Sequence, residues 1–178
     1  MTNISVQFVR GLGWTSKLIG WTDMFSHVDI VLDSGELLGA RSDVIEGLEP
    51  GVRIRPPNYE KWAVQMRVTV PVTEDQKHLF LESALSQVGK PYDKWDIAGF
   101  VFGRDWRDPQ AWICSELEVW CLERARIIPP VFLAVNRMDP GMAAMRTTAI
   151  PGASWYFIGP VPKMALTMEE VLRLWQQP

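Results

Sequence analysis

The residues best suited to nucleophilic chemistry in this 178-residue chain are its two cysteines and two histidines. Cys114 lies at the leading end of an apolar stripe with helical spacing, formed by Leu117, Trp120, Cys121 and Ala125. A cysteine at a helix N-terminus is favoured as a thiolate, because the helix dipole and the unpaired N–H groups stabilise negative charge. A thiolate beside a histidine is a nucleophile for acyl transfer. The pattern therefore indicates cysteine-dependent chemistry at Cys114.

The start of this helix has two interpretations. Asp108-Pro109 is a good pair for the N-cap and the first helical position, and a helix that begins there places Cys114 in its second turn. The dipole would then act on the thiol more weakly. Cysteine is also a common core residue, so burial without chemistry is the competing interpretation.

His27 is the candidate base. It begins the alternating segment 26–32, which predicts a strand with His27 and Asp29 on one face and apolar residues on the other. His78 lies in the polar first half of a predicted helix over 73–88, where we expect a solvated side chain. A Cys114–His27 pair is the combination that these placements favour.

The third member of such a site follows from the register of a hairpin. If Ser34-Gly35 is a two-residue loop, Ser42 pairs with His27 on the next strand. We therefore expect Ser42 or Asp43 to orient the imidazole, with a bound water as the other alternative. Asp29 shares the face of His27 but lies about 7 Å along the strand, which predicts that it is too far for contact with the ring.

The remaining elements follow from periodicity and turn residues. Strands are predicted at 4–9, 36–42, 52–55, 65–70 and 154–158, and helices at 73–88, 95–102, 112–126, after Asp139-Pro140 and at 167–176. Residues 14–25 are predicted as a loop or short helix. These elements predict an α+β fold with a small antiparallel sheet packed against helices. The length favours a single domain over residues 1–178.

Composition narrows the class of protein. The net charge is −3 without a run of like charges, which does not indicate a nucleic-acid surface. No signal peptide is evident at the start and no apolar run is long enough to span a bilayer, so we expect a cytoplasmic protein; delivery elsewhere by a phage virion or a secretion machine stays open.

The thiols are expected to be unpaired and free of metal. Cys114 and Cys121 lie seven residues apart on one predicted helix, about two turns or roughly 10 Å, too far for a disulfide. The two cysteines and two histidines do not have zinc-site spacing, so we expect no metal and no cofactor.

Four motifs, in this order, resemble a known family. They are Ser26-His27-Val28-Asp29-Ile30-Val31 with Leu37-Leu38-Gly39-Ala40, then Gly51-Val52-Arg53-Ile54-Arg55-Pro56, then Gly89-Lys90-Pro91-Tyr92-Asp93, then Cys114-Ser115-Glu116-Leu117. The series is similar to the circularly permuted NlpC/P60 branch of the papain-like fold, which includes YiiX-like hydrolases and relatives of lecithin retinol acyltransferase. In that branch the histidine strand precedes the cysteine helix, as it does here.

The resemblance implies a cysteine hydrolase of amides or esters. It implies that Cys114 is the nucleophile and His27 the general base, and that Tyr92 and Ser115 lie at the oxyanion or substrate site. Glu116 follows the cysteine as in the family motif and would complement the helix dipole. The family offers a polar residue on the strand after the histidine strand, and Ser42 and Asp43 stand nearest to that position.

The resemblance does not choose the substrate. Peptides, peptidoglycan fragments and lipid acyl groups all fit this fold, and the lack of a membrane segment favours peptide or amide bonds. The competing hypothesis is a non-catalytic binding or assembly module, such as a phage or prophage component that retains the fold. Its support is the weak third position and the nine tryptophans of the chain.

Overall fold

A six-stranded antiparallel sheet forms the centre of the molecule. The structure, a computed structural model, describes residues 1–11, 24–45, 47–93, 110–130 and 138–159. The strands are β1 (Thr2–Gly11), β2 (His27–Val31), β3 (Leu37–Arg41), β4 (Gly51–Arg55), β5 (Trp62–Val72) and β6 (Ser154–Phe157). Their order is β4-β3-β2-β1-β5-β6, and every neighbouring pair is antiparallel.

Three helices accompany this sheet in the described residues: α1 (Glu74–Leu85), α2 (Cys114–Arg124) and α3 (Pro140–Thr148). Thr73 and Gln76 form the predicted capping box of α1, and Asp139 caps α3 through the N–H of Met142. The prediction of an α+β fold with a small antiparallel sheet and helices is confirmed. The predictions for 95–102 and 167–176, and most of that for 14–25, lie outside the described residues.

Alternation along the strands builds the core. In β5 every second residue is buried, from Val64 to Val72, whereas the central strands β1 and β2 are buried on both faces over much of their length. Helix α2 contributes Leu117, Val119 and Leu122 to this core. Full burial of such a side chain stabilises the fold by about 1.5–3 kcal/mol. Helix α2 packs against both β2 and β3.

The hairpin between β2 and β3 differs from the prediction by one residue. The loop has three residues, since the N–H of Leu32 donates to the carbonyl of Glu36, and Gly35 has a φ of 86°. A left-handed third loop position is typical of three-residue hairpins and favours glycine, as at Gly35, so the predicted two-residue loop is wrong. The pairs Val31–Leu37 and Ile30–Leu38 then extrapolate to Arg41, and not Ser42, opposite His27.

Candidate active site

Cys114 is the first residue of α2. Ile113 is the extended N-cap residue, with φ −94° and ψ 162°, and the N–H of Leu117 makes the first helical bond, to the carbonyl of Ile113. Residues 110–113 are not helical, so α2 does not continue back to Asp108-Pro109. The thiol therefore lies in the first turn of the helix, where the dipole acts most strongly.

His27, the first residue of β2, meets this thiol. The Nε2 atom of His27 lies 2.8 Å from Oδ1 of Asp29, and the imidazole and the Cys114 thiol are close enough for each to shift the pKa of the other. Because Nε2 faces Asp29, Nδ1 is the ring nitrogen left for the sulfur. The backbone N–H of Val28 is a further group that lowers the pKa of the thiol. Residues distant in the sequence thus form one chain of contacts, from Cys114 through His27 to Asp29.

The orienting residue differs from the predicted one. Asp29 contacts the ring, although its spacing along the strand predicted that it would be too far, because its carboxylate and the imidazole lean toward each other on the same face. Ser42 is exposed, beyond the end of β3. Asp43 is bound by the guanidinium of Arg41, at 2.8 and 2.9 Å, rather than by the imidazole. The prediction that Ser42 or Asp43 orients His27 is therefore wrong.

Electrostatics favours an ion pair at this site. Burial by itself would lower the pKa of His27, but the Asp29 carboxylate and the Cys114 thiolate outweigh it and raise that pKa to about 9. Burial opposes ionisation of Cys114, yet the charge and hydrogen bond of His27, with the Val28 N–H, hold the thiol pKa below its usual value. The pKa of Asp29 is also lowered, against its burial, by His27 and by Tyr59. All three shifts favour the ionised forms, a thiolate, an imidazolium and a carboxylate, over the neutral ones.

Aromatic and charged side chains cover the histidine. The indole of Trp62 stacks on the His27 ring at 6.5 Å between centroids and 19° between planes. Arg41 lies over the ring of Trp62, and its Nη1 atom is 2.8 Å from an oxygen of Glu60. The imidazole is thus largely removed from solvent, with 9% of its side-chain surface exposed. Such cover strengthens the hydrogen bond to Asp29, because competing water is excluded.

Sequence reasoning missed Asp29, Trp62 and Tyr59. The Tyr59 hydroxyl donates to Oδ2 of Asp29 at 2.8 Å, so both carboxylate oxygens are bound. For Asp29, the available signal was its position on the same strand face as His27. No local pattern distinguishes Tyr59 or Trp62, because both come from chain that follows β4 and reach the site only through tertiary packing.

Ser115 and Tyr92 have different surroundings. The Ser115 side chain is buried, and its hydroxyl donates to the carbonyl of Met138. Its backbone N–H lies in the first turn of α2, ahead of the first bond within the helix. Tyr92 is half-buried and pairs with Trp112 in an isolated parallel bridge. Tyr92 is therefore near the entry to α2, and its role at an oxyanion site stays a prediction.

Neither a metal cluster nor a membrane helix is present in the described part of the chain. No group of three or more His, Cys, Asp and Glu side chains there could hold a metal ion. No helix among the described residues is long and apolar enough to cross a membrane.

Comparison with known proteins gives a likeness at the level of structure, and none at the level of sequence. No protein-family model and no curated protein matches the sequence. The chain is similar to the solved structure of the metalloprotein YiiX from Escherichia coli O157:H7, with a TM-score of 0.49 and 21% sequence identity. The match covers 70% of this chain and 66% of YiiX, so the chain spans slightly less than two thirds of the length of that protein.

Proposed function

We propose that this protein is a thiol hydrolase of the permuted papain-like NlpC/P60 type. In this proposal Cys114 is the nucleophile, His27 is the general acid and base, and Asp29 orients the imidazole. The observation that carries the proposal is the placement of His27 between the Cys114 thiol, whose pKa it lowers, and the Asp29 carboxylate, which it contacts at 2.8 Å. Its sulfur end lies in the first turn of a helix.

The reaction begins with attack of the Cys114 thiolate on the carbonyl carbon of an amide or ester. The backbone N–H groups of Cys114 and Ser115 are the candidate donors to the developing oxyanion, since both precede the first hydrogen bond within α2. As the tetrahedral adduct collapses, the C–N or C–O bond breaks and the His27 imidazolium gives its proton to the leaving amine or alcohol. The acyl group remains on sulfur as a thioester.

Deacylation returns the enzyme to its starting state. Neutral His27 takes a proton from water, and the resulting hydroxide attacks the thioester carbon. The C–S bond breaks, a carboxylic acid leaves, and the thiolate and imidazolium are restored. Asp29 stabilises the imidazolium and holds the ring orientation in both halves of the reaction, as the carboxylate of a catalytic triad does.

The proposed substrate is a peptide or other amide, with peptidoglycan fragments and lipid esters as further classes served by the same chemistry. The alternative function, a binding or assembly module without catalysis, keeps the fold and makes no use of the thiol. The two functions differ in what they expect of Cys114, which makes its reactivity the deciding measurement.

Labelling with iodoacetamide and with an activated acyl ester tests the proposal. We expect Cys114 in the Cys121→Ala variant to be alkylated rapidly at pH 6.5 and to release acyl product over repeated turnovers. His27→Ala should slow alkylation about tenfold or more, because an unassisted thiol is mostly protonated at this pH. Cys114→Ala in the presence of Cys121 is the matched control, since Cys121 is fully buried.

Two results would contradict the hydrolase. Alkylation of Cys114 no faster than that of an unactivated thiol supports the binding module. Rapid acylation without any release of product supports a reactive thiol that does not catalyse hydrolysis.

A further inference from the structure

The Asp29 carboxylate lies where a side chain of the neighbouring strand would otherwise be. An ideal Cβ atom added to Gly39 would lie 2.1 Å from Oδ1 of Asp29 and 3.1 Å from its Cγ. Real Cβ atoms essentially never lie as close as 2.1 Å to another heavy atom, and 3.1 Å is tighter than most real contacts. Oδ1 is the same oxygen that contacts Nε2 of His27 at 2.8 Å. The space above Gly39 is thus occupied by the group that orients the imidazole.

The backbone of Gly39 does not require a glycine. Gly39 lies in β3 and does not have a positive φ, in contrast to Gly35 in the adjacent loop. An alanine in strand conformation is allowed at such a position. The lack of a side chain at Gly39 therefore leaves room beside the strand. The backbone conformation does not need it.

The second carboxylate oxygen is held from the other side. The Tyr59 hydroxyl donates to Oδ2 of Asp29 at 2.8 Å, and the ring of Tyr59 is itself covered by the guanidinium groups of Arg41 and Arg55 at 5.5 and 5.6 Å. Asp29 and Tyr59 are both buried. The Asp29 carboxylate thus lies between Gly39, which has no side chain, and the hydroxyl donor of Tyr59.

We propose that Gly39 is a positioning residue, whose lack of a side chain lets Asp29 orient His27, and that the Tyr59 hydroxyl completes this seat for the carboxylate. The inference rests on the proposed function, because it assigns Asp29 its role in activating Cys114. It adds two residues, Gly39 in β3 and Tyr59 in the segment between β4 and β5. Both act on the thiol only through Asp29 and His27.

Gly39→Ala is the direct test. The added methyl group would displace the tip of the Asp29 side chain and so remove its contact with His27. We expect alkylation of Cys114 at pH 6.5 to slow about tenfold and its pH midpoint to move up toward that of an ordinary thiol. Tyr59→Phe keeps the ring and removes one of the two holds on the carboxylate, so we expect a smaller slowing in the same direction.

Gly35→Ala is the matched control for damage to the hairpin. Its φ of 86° strains an alanine, while nothing lies within 4 Å of the added atom. It should lower the melting temperature and leave the pH midpoint of alkylation unchanged. A shift of the midpoint in Gly35→Ala as large as that in Gly39→Ala would overturn the proposal, because the effect would then come from the hairpin as a whole.

The double variant Asp29→Ala/Gly39→Ala separates the carboxylate from other neighbours. With Asp29 shortened, the methyl group at position 39 has room, so alkylation should match that of Asp29→Ala alone. If Gly39→Ala does not fold, recovery of folding in the double variant supports the proposal, and failure of both overturns it, because the conflict would lie with the carbonyl of Val28, 3.2 Å away.

The two proposals fail in different ways. Slow alkylation of the wild-type Cys114 rejects the hydrolase. Fast alkylation that Gly39→Ala leaves unchanged rejects the positioning role and keeps the hydrolase.

Discussion

Asp29 and His27 are two residues apart on one strand, a spacing usually too long for a hydrogen bond between side chains. The contact forms here because the position across from Asp29 is a glycine and because a tyrosine hydroxyl binds the outer carboxylate oxygen. The buried carboxylate then has partners at both oxygens, which satisfies the requirement that a buried charge be paired.

Replacement of Asp29 tests whether this residue, rather than Ser42 or Asp43, orients His27. We expect Asp29→Ala to slow alkylation of Cys114 at pH 6.5 about tenfold, since the imidazolium loses its main stabilising charge. Ser42→Ala should have no effect. Asp43→Ala should have a small one, because the pKa of Asp43 is lowered chiefly by Arg41 and least by His27. Equal effects of Asp29→Ala and Asp43→Ala would contradict the assignment.

The pH dependence of turnover follows from His27. Its raised pKa, about 9, means that the imidazolium persists well above pH 7 and is lost as the pH rises through 9. Because the leaving amine takes its proton from this imidazolium, we expect turnover of an amide substrate to fall above about pH 9. An acyl substrate whose leaving group needs no proton should keep its acylation rate there, and loss of both rates would point to unfolding instead.

At the scale of elements, α2 carries the thiol and also joins α3 to the core. Glu118, one turn after Cys114, is buried, and its Oε1 accepts a hydrogen bond from Thr147 of α3 at 2.8 Å. Burial raises the pKa of Glu118 to about 8, against the hydrogen bond of Thr147 and the charge of Arg146. The carboxyl thus stays protonated over a pH range in which an unfolded glutamate is ionised.

Glu118→Gln tests this state through stability. The folded protein binds one more proton at Glu118 than the unfolded chain between about pH 4.5 and 8, so the contribution of this group to the free energy of unfolding falls as the pH rises over that range. Glutamine keeps an acceptor for Thr147 and has no proton to lose. Its stability relative to wild type should rise from pH 5 to 8, by at most about 1.4 kcal/mol per pH unit, in urea unfolding.

Glu82→Gln on α1 is the surface control, because 66% of the Glu82 side chain is exposed. A stability difference between Glu118→Gln and wild type that does not change with pH would show that Glu118 is ionised in the folded protein.

At the scale of the whole molecule, the two cysteines report on different events. Cys114, the first residue of α2, has 7% exposure, whereas Cys121 is fully buried in the core, where burial and Glu118 raise its thiol pKa. Labelling of Cys121 therefore requires that α2 separate from the core. Labelling of Cys114 requires access to the site and a thiolate.

In a Cys114→Ala variant, we expect alkylation of Cys121 to follow global unfolding in urea, with the same midpoint as tryptophan fluorescence. Leu117→Ala, which empties a fully buried position on α2, should lower stability by about 2–5 kcal/mol and move both midpoints together. Labelling of Cys121 well before the fluorescence change would indicate local opening of α2 instead of one cooperative unit.

The sequence by itself determined the element types and the order of the candidate nucleophile and base. Hydrophobic period, capping residues and turn glycines are local signals, so the strands, the capped helices and the start of β2 at His27 follow from them. Cys114 at a helix start was one of two interpretations, and α2 begins there.

Only the tertiary structure decided which residue supports the imidazole. The register of β2 and β3 depends on a three-residue loop, and a difference of one residue moves every predicted partner of His27. The contact between Asp29 and His27 depends on the lack of a side chain at Gly39 in β3 and on the hydroxyl of Tyr59, which follows β4. Gly39 and Tyr59 are distant from Asp29 in the sequence and meet it only in the assembled sheet. No periodic pattern in the sequence predicts these contacts.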